Sequence, residues 1–224
     1  MTDLPNIAIL GGTGSLGGGL AARFCAAGFP VTVGSREAAK ARAVIDEAGW
    51  QAEAATNEEA ARRGDVVILT VPFAQQADLL RTIAPDLDEK LVIDTSVPLV
   101  PPKVARVQLP DAGSAALTAL EALGGQGRLV TAFHNVSAAK LRNGQPIGSD
   151  VLVFGALADR DEAVDLIERI GLNAVHGGPL ENAVAAEAMT SVLIAINRRY
   201  KVTDGAGLKI TGLKAAGLPD GAEG

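Results

Sequence analysis

The sequence predicts an α/β fold built on a doubly wound parallel sheet. Three observations carry that prediction. Strand-like and helix-like runs alternate along the 224 residues. The first apolar run, from Ile7 to Leu10, leads through a glycine-rich turn into a helix. The run Val66-Val67-Ile68-Leu69-Thr70-Val71 is continuously apolar but for Thr70, as in a strand covered on both faces. Strands are predicted near 6–11, 30–35, 50–54, 65–71, 90–95, 128–133, 150–155 and 172–176. Helices are predicted near 15–28, 36–48, 57–63, 74–84, 113–123, 136–142, 160–170 and 182–199. Right-handed crossovers between parallel strands would bring their C-terminal ends to one edge, where ligands bind.

The first turn reads Gly11-Gly12-Thr13-Gly14-Ser15-Leu16-Gly17. Gly12, Gly14 and Gly17 fit the G-x-G-x-x-G spacing of a Rossmann-type dinucleotide site, in the strand–turn–helix context that the spacing requires. Gly12 permits the tight turn, Gly14 admits a pyrophosphate to the backbone, and Gly17 lets the helix pack close to the strand. The N–H groups of the helix N-terminus then face the phosphates. Gly18 and Gly19 continue the run into the helix, each at about 0.5–1 kcal/mol relative to alanine. Close approach of the pyrophosphate, or of another backbone, is the expected compensation.

The second strand ends Val31-Thr32-Val33-Gly34-Ser35-Arg36, about twenty residues beyond Gly14. An NAD site places Asp or Glu there for the ribose 2′-hydroxyl; this chain has none at the strand end. Ser35 donates a hydrogen bond, and Arg36 offers a planar fork suited to phosphate. Lys40 follows one helical turn later on the same face. With Thr13 in the glycine turn, the cluster fits the 2′-phosphate of NADP.

Residues 96–112 contain Pro98, Pro101, Pro102 and Pro110 and read as a loop after a strand end. No linker splits the chain. Residues 1–149 form the dinucleotide-binding domain, residues 150–213 a small C-terminal α/β extension packed on it, and residues 214–224 a disordered tail of small and turn residues. Composition excludes several roles. Aromatic residues are 3% of the chain and the net charge is −6, which argues against nucleic-acid and anionic-membrane partners. Cys25 is the single cysteine, so neither an intrachain disulfide nor a cysteine metal cluster forms. No run is apolar enough to span a bilayer, and the segment Met1–Asn6 lacks a basic leader, so a cytoplasmic location is expected.

Several mechanisms are also missing. There is no G-x-x-x-x-G-K-[ST] and no G-x-S-x-G. Tyr200, the one tyrosine, has no lysine four residues on. His134 and His176 cannot form a three-histidine metal site. A dinucleotide site without an evident proton donor suits hydride transfer between two redox cofactors, in which catalysis is chiefly positioning.

At this point the chain resembles the F420:NADP oxidoreductases, NADPH-dependent reductases of the deazaflavin coenzyme F420, from about Ile7 to Leu213. The likeness rests on Gly11–Gly17, on Val33-Gly34-Ser35-Arg36 with Lys40, and on Leu69-Thr70-Val71-Pro72-Phe73. It continues through Val97-Pro98-Leu99-Val100, Ser114-Ala115-Ala116, His134 with Ala138-Ala139, Gly178-Pro179-Leu180-Glu181-Asn182 and Leu208-Lys209-Ile210. The resemblance implies that the glycine turn and the Ser35–Arg36–Lys40 cluster hold NADP. It implies that Val71, Pro72, Ser96, Val97, Pro98 and His134 line the nicotinamide and deazaflavin pockets. It also implies reversible hydride transfer between nicotinamide C4 and deazaflavin C5, and a homodimer. The chain departs from the family at Phe73, often Trp there, at Ser137, often Pro, and at Gly155-Ala156-Leu157, often an acidic Gly-Asp-Asp.

His134 stands at the ligand-bearing edge, as a hydrogen-bond donor to a cofactor, a stabiliser of charge on a reduced ring, or a satisfied strand-end histidine. His176 is read as a turn histidine. Lys140 and Arg142 either meet an anionic deazaflavin tail or face solvent. Val184, Met189, Val192, Leu193 and Ile196 form a helix stripe for a core or a dimer interface. Two further functions stay open: an NADPH reductase of another flavin or small molecule, and a non-catalytic NADP-binding redox sensor.

Overall fold

The computed structural model describes residues 4–213; the predicted disordered tail, 214–224, lies outside them. Eight strands form one sheet: β1 (Ile7–Leu10), β2 (Val31–Ser35), β3 (Glu53–Thr56), β4 (Val66–Leu69), β5 (Leu91–Asp94), β6 (Arg128–Thr131), β7 (Asp150–Gly155) and β8 (Asn173–Gly178). Eight α-helices alternate with them: α1 (Ser15–Ala26), α2 (Ala38–Ala48), α3 (Asn57–Arg63), α4 (Phe73–Ile83), α5 (Ala115–Leu123), α6 (Ala138–Arg142), α7 (Leu157–Arg169) and α8 (Ala183–Tyr200). The strand order is β3-β2-β1-β4-β5-β6-β7-β8, so the winding reverses between β1 and β4. That reversal opens the crevice in which ligands bind to such sheets.

The first six strands are parallel, with β1 flanked in register by β2 and β4 (Leu10 opposite Gly34 and Leu69). Every residue of β1, β2, β4 and β5 is buried. One apolar layer gathers Phe24, Ile45, Ile68 and Phe133; the other gathers Leu10, Leu69, Leu80 and Leu123. Both faces of the sheet are therefore covered, which is why these strands read as continuous apolar runs.

Two sequence expectations need correction. β3 forms at 53–56 rather than 50–54. Trp50 instead packs against the core from the turn after α2, where Gly49 adopts φ +67°. The sheet is also not parallel throughout. β7 runs antiparallel to β6, with Thr131 opposite Phe154, and β8 is parallel to β7. The β6–β7 connection contains only α6, whose five residues span about 7.5 Å. A parallel return needs a crossover that traverses the sheet. The connection through α6 instead re-enters from the same edge, so β7 and β8 extend the sheet with reversed polarity.

The connection is held firmly. Arg23 of α1 donates to the carbonyls of Leu141 (3.1 Å), Lys140 (3.2 Å) and Gln145, closing the C-terminal end of α6. A C-terminal strap crosses it. Asp150 N–H donates to Leu208 O (2.7 Å), Ile210 N–H to Asp150 Oδ2 (2.6 Å), and Lys140 Nζ pairs with Asp204 at 3.0 Å.

Of the extra glycines of α1, Gly19 serves this same packing. A Cβ on Gly19 would lie 2.8 Å from Leu141 Cβ and 3.1 Å from Ala138 O. One on Gly18 would meet chiefly the movable end of Arg142, 2.7 Å from Nη2. The two positions should therefore respond oppositely to alanine in urea unfolding. Gly18→Ala should be neutral or stabilising by up to about 1 kcal/mol through helix propensity. Gly19→Ala should destabilise by about 1–3 kcal/mol through overpacking. Equal stability of the two variants would contradict a close α1–α6 contact.

Candidate active site

A cleft of about 860 Å³ lies over the C-terminal ends of β1, β4 and β5. Its floor is the glycine turn. Gly11 is the residue that needs glycine for its backbone, at φ +74°, and its N–H donates to Asn57 Oδ1 (3.1 Å). Gly12, expected to make the turn, has a different constraint: a Cβ there would lie 2.8 Å from Val33 Cγ1 and 2.9 Å from Ile9 O. Gly14 N–H returns to Gly11 O at 2.9 Å and begins α1, which has no side-chain cap. At Gly17 a Cβ would collide with Thr70 Oγ1 and lie 2.8 Å from Gly11 O. The helix thus starts directly against the strands, with its first N–H groups available to an anion.

Thr13, Gly14, Ser15 and Leu16 line the cleft, whereas Gly12 and Gly17 shape it from behind. At one end stand Ser35, buried at the tip of β2, and the exposed Arg36 and Lys40. Arg36 has no carboxylate partner among the described residues; Lys40 pairs with Glu37 at 2.6 Å. At the other end are Val71, Pro72 and Phe73, then Ser96 and Val97. Pro98 is buried and does not line the cleft; Leu99, Pro101 and Val104 of the same loop do.

His134 also lines the cleft, 7% exposed, and its Nε2 has no hydrogen-bond partner among the described residues. Burial pushes its imidazole down to about 4, so it is neutral at neutral pH. It presents a neutral polar atom to the cleft. The preceding Phe133 is buried in the left-handed region at φ +66°, an uncommon state for a bulky residue. Its neighbours hold it there. Thr190 Oγ1 donates to His134 O (2.9 Å), and Asn135 Nδ2 reaches Ala186 O (3.0 Å) and Thr190 Oγ1 (3.1 Å), fixing α8 to this wall.

Other sequence candidates lie elsewhere. Lys140 belongs to the strap. Ser137 caps α6 by accepting from Lys140 N (3.3 Å). His176 is partly exposed on β8, 3.6 Å from Asp161. Gly155 and Ala156 line a separate cavity of about 430 Å³ that shares no residue with the cleft, so this departure from the family pattern is remote from it. Along α8 only Leu193 of the five-residue stripe is buried; Val192 is 42% exposed.

Sequence reasoning missed the polar residues beneath the cleft. Asp94 ends β5 and accepts from Ser96 N (3.1 Å), Ser96 Oγ (2.7 Å) and Gln76 Nε2 (2.5 Å). Glu187 accepts from Ala115 N (2.7 Å) and Ala116 N (3.0 Å) at the start of α5. A usable signal existed: each is a lone acid in an otherwise apolar run. Among the described residues, no cluster of His, Cys, Asp and Glu could hold a metal, and no helix is long and apolar enough to cross a membrane.

Comparisons with known proteins agree with this geometry. A sequence model of the family described as NADP oxidoreductase, coenzyme F420-dependent, matches residues 6–98. The F420-dependent NADP reductase of Methanothermobacter thermautotrophicus is 41% identical over 92% of this chain and 95% of its own. That of Methanocaldococcus jannaschii is 35% identical over 93% and 99%. A crystal structure from Arthrobacter sp. FB24, provisionally named an F420-dependent NADP reductase, superposes with a TM-score of 0.78 over 92% of this chain and 99% of that one. At 21% identity that likeness shows the fold. With near-full-length identity of this order to named reductases, the chain belongs to the F420-dependent NADP reductase family.

Proposed function

We propose that this protein transfers a hydride between NADP(H) and coenzyme F420, with residues 1–149 holding the dinucleotide and residues 150–213 completing the second wall. The carrying observation is one continuous cleft. It joins an uncapped glycine-turn helix and the free Arg36 guanidinium to an apolar far end of Val71, Pro72, Val97, Leu99 and Val104. The absence of a Cβ at Gly11 and Gly14 and the open N–H groups of α1 fit a pyrophosphate. Arg36, with Ser35, Thr13 and Lys40, fits a 2′-phosphate.

When both partners are bound, the nicotinamide supplies the hydride at C4 and the deazaflavin receives it at C5. The protein's residues do the rest. The glycine turn fixes the phosphates. Val71, Pro72, Ser96 and Val97 fix the reacting end and exclude water. Neutral His134 presents Nε2 as a hydrogen-bonding group at that wall. Lys40 leaves Glu37 to meet the phosphate, an exchange of little cost because both side chains are more than half exposed. The partly exposed stripe of Met189, Val192 and Ile196 on α8 supports a homodimer.

Arg36→Ala should raise the KM for NADPH about 10-fold and that for NADH less than twofold, as loss of a charge-assisted contact to phosphate implies. Equal effects on both would contradict the 2′-phosphate assignment. With NADPH as donor, oxidation followed by absorbance should occur with F420 and not with FMN, FAD or buffer. Turnover of the flavins would favour a broader reductase, and binding without turnover on any acceptor would favour a sensor.

A further inference from the structure

The polar network under the cleft has a role that the hydride-transfer reading leaves unused. Asp94 is 1% exposed, and three donors converge on its carboxylate: the Ser96 amide and hydroxyl on Oδ1, and the Gln76 amide on Oδ2. The same Gln76 nitrogen donates to Ala115 O (3.0 Å), while its Oε1 is buried without a partner. Gln76 comes from α4, Asp94 from β5, Ser96 from the loop that walls the cleft, and Ala115 from α5. We propose that Asp94 is a positioning residue whose ionised carboxylate holds Ser96, and with it the Ser96–Val97 wall, in the geometry that receives the nicotinamide end of NADPH.

The proposal rests on the nucleotide reading of the cleft. Its physical basis is the donor count. An ionised carboxylate only accepts, and here it faces only donors. A neutral side chain with a donor head would set N–H or O–H against the Gln76 amide or the Ser96 pair, so one of them must turn away. The loss would be felt because Asp94, Gln76 and Ser96 are all buried.

The surroundings also make this a titrating element. Around Asp94, α4 presents Gln76, β6 presents Thr131 in register, β4 presents Leu69, and α8 presents Glu187. His134 stands at the end of β6 and is already neutral. Glu187 is the one other titrating group that couples to Asp94, and no cation pairs with either acid among the described residues. Burial, opposed by the hydrogen bonds from Ser96 and Gln76, pushes its carboxyl up to about 6. Burial likewise raises Glu187. Asp94 is therefore ionised above about pH 6 and takes up a proton below it.

The test is NADPH binding without acceptor, followed by the fluorescence of the reduced nicotinamide in wild type, Asp94→Asn and Ser96→Ala. Wild-type Kd should rise about 3–10-fold as pH falls from about 7.5 to 5, the size expected for a lost hydrogen bond. Asp94→Asn should show the weak, acid-side Kd at every pH. Ser96→Ala, which deletes the hydroxyl that does most to hold the Asp94 carboxyl down, should weaken binding about threefold at pH 7.5 and move the acid limb to higher pH. A wild-type Kd that is flat in pH overturns the proposal. So does an acid limb that persists in Asp94→Asn, since it would then belong to the ligand's phosphate or to another group. If Asp94→Asn loses its cooperative unfolding transition, Ser96→Ala decides, and wild-type binding with the acid limb at its wild-type pH overturns the proposal. No NADPH binding at any pH overturns the nucleotide reading and this proposal together; binding insensitive to both variants overturns this proposal alone.

Discussion

The contact on which the rest of the structure depends is that between the first turn of α1 and the strands beneath it. At Gly17 there is no room for a Cβ between the helix, Thr70 Oγ1 and the carbonyl of Gly11. Thr70 is itself tied to Leu10 O at 2.7 Å, so the end of β4 and the end of β1 are held together under the helix. This contact aims the free N–H groups of α1 across the crevice where the winding of the sheet reverses. Farther along the same helix, Gly19 admits α6, and Arg23 fastens it. One helix thus sets both the phosphate floor and the position of the segment that carries His134.

The opposite wall is fixed by buried polar bonds rather than by close backbone packing. Asp94, Gln76 and Glu187 knit α4, β5, α5 and α8, while Asn135 and Thr190 fasten α8 to the end of β6. Such groups cost free energy when unpaired, so a nearly complete set of partners specifies one arrangement of the elements. The result is a cleft with cations at one end and an apolar, neutral far end. Three of the buried polar atoms without a partner among the described residues, His134 Nε2, Gln76 Oε1 and Thr131 Oγ1, stand in or beside this wall. That is an arrangement for holding two flat rings, not for passing protons through strongly ionised groups.

Much of this was legible in the chain. The buried parallel strands announce themselves as apolar runs because both faces are covered. The glycine turn and Ser35–Arg36 are local, so spacing alone finds them, and twelve residues expected at the site do line the cleft. What was not legible is non-local. The reversed polarity of β7 is a long-range pairing that no local pattern announces, and the use of Gly19 depends on a helix more than a hundred residues away. Gly11, rather than Gly12, bears the positive φ, a distinction that a run of glycines hides. Asp94 and Glu187 gain their meaning only when folding brings donors to them.

The central claim is that the two redox partners react directly, held face to face with water excluded and without an ionised side chain between them. It is tested most directly by following the label in a single turnover with NADPH deuterated on the transferred face of C4. The account predicts that the deuterium is recovered in the reduced deazaflavin at C5, with none released to water. Appearance of the deuterium in solvent, with unlabelled reduced deazaflavin, would contradict it.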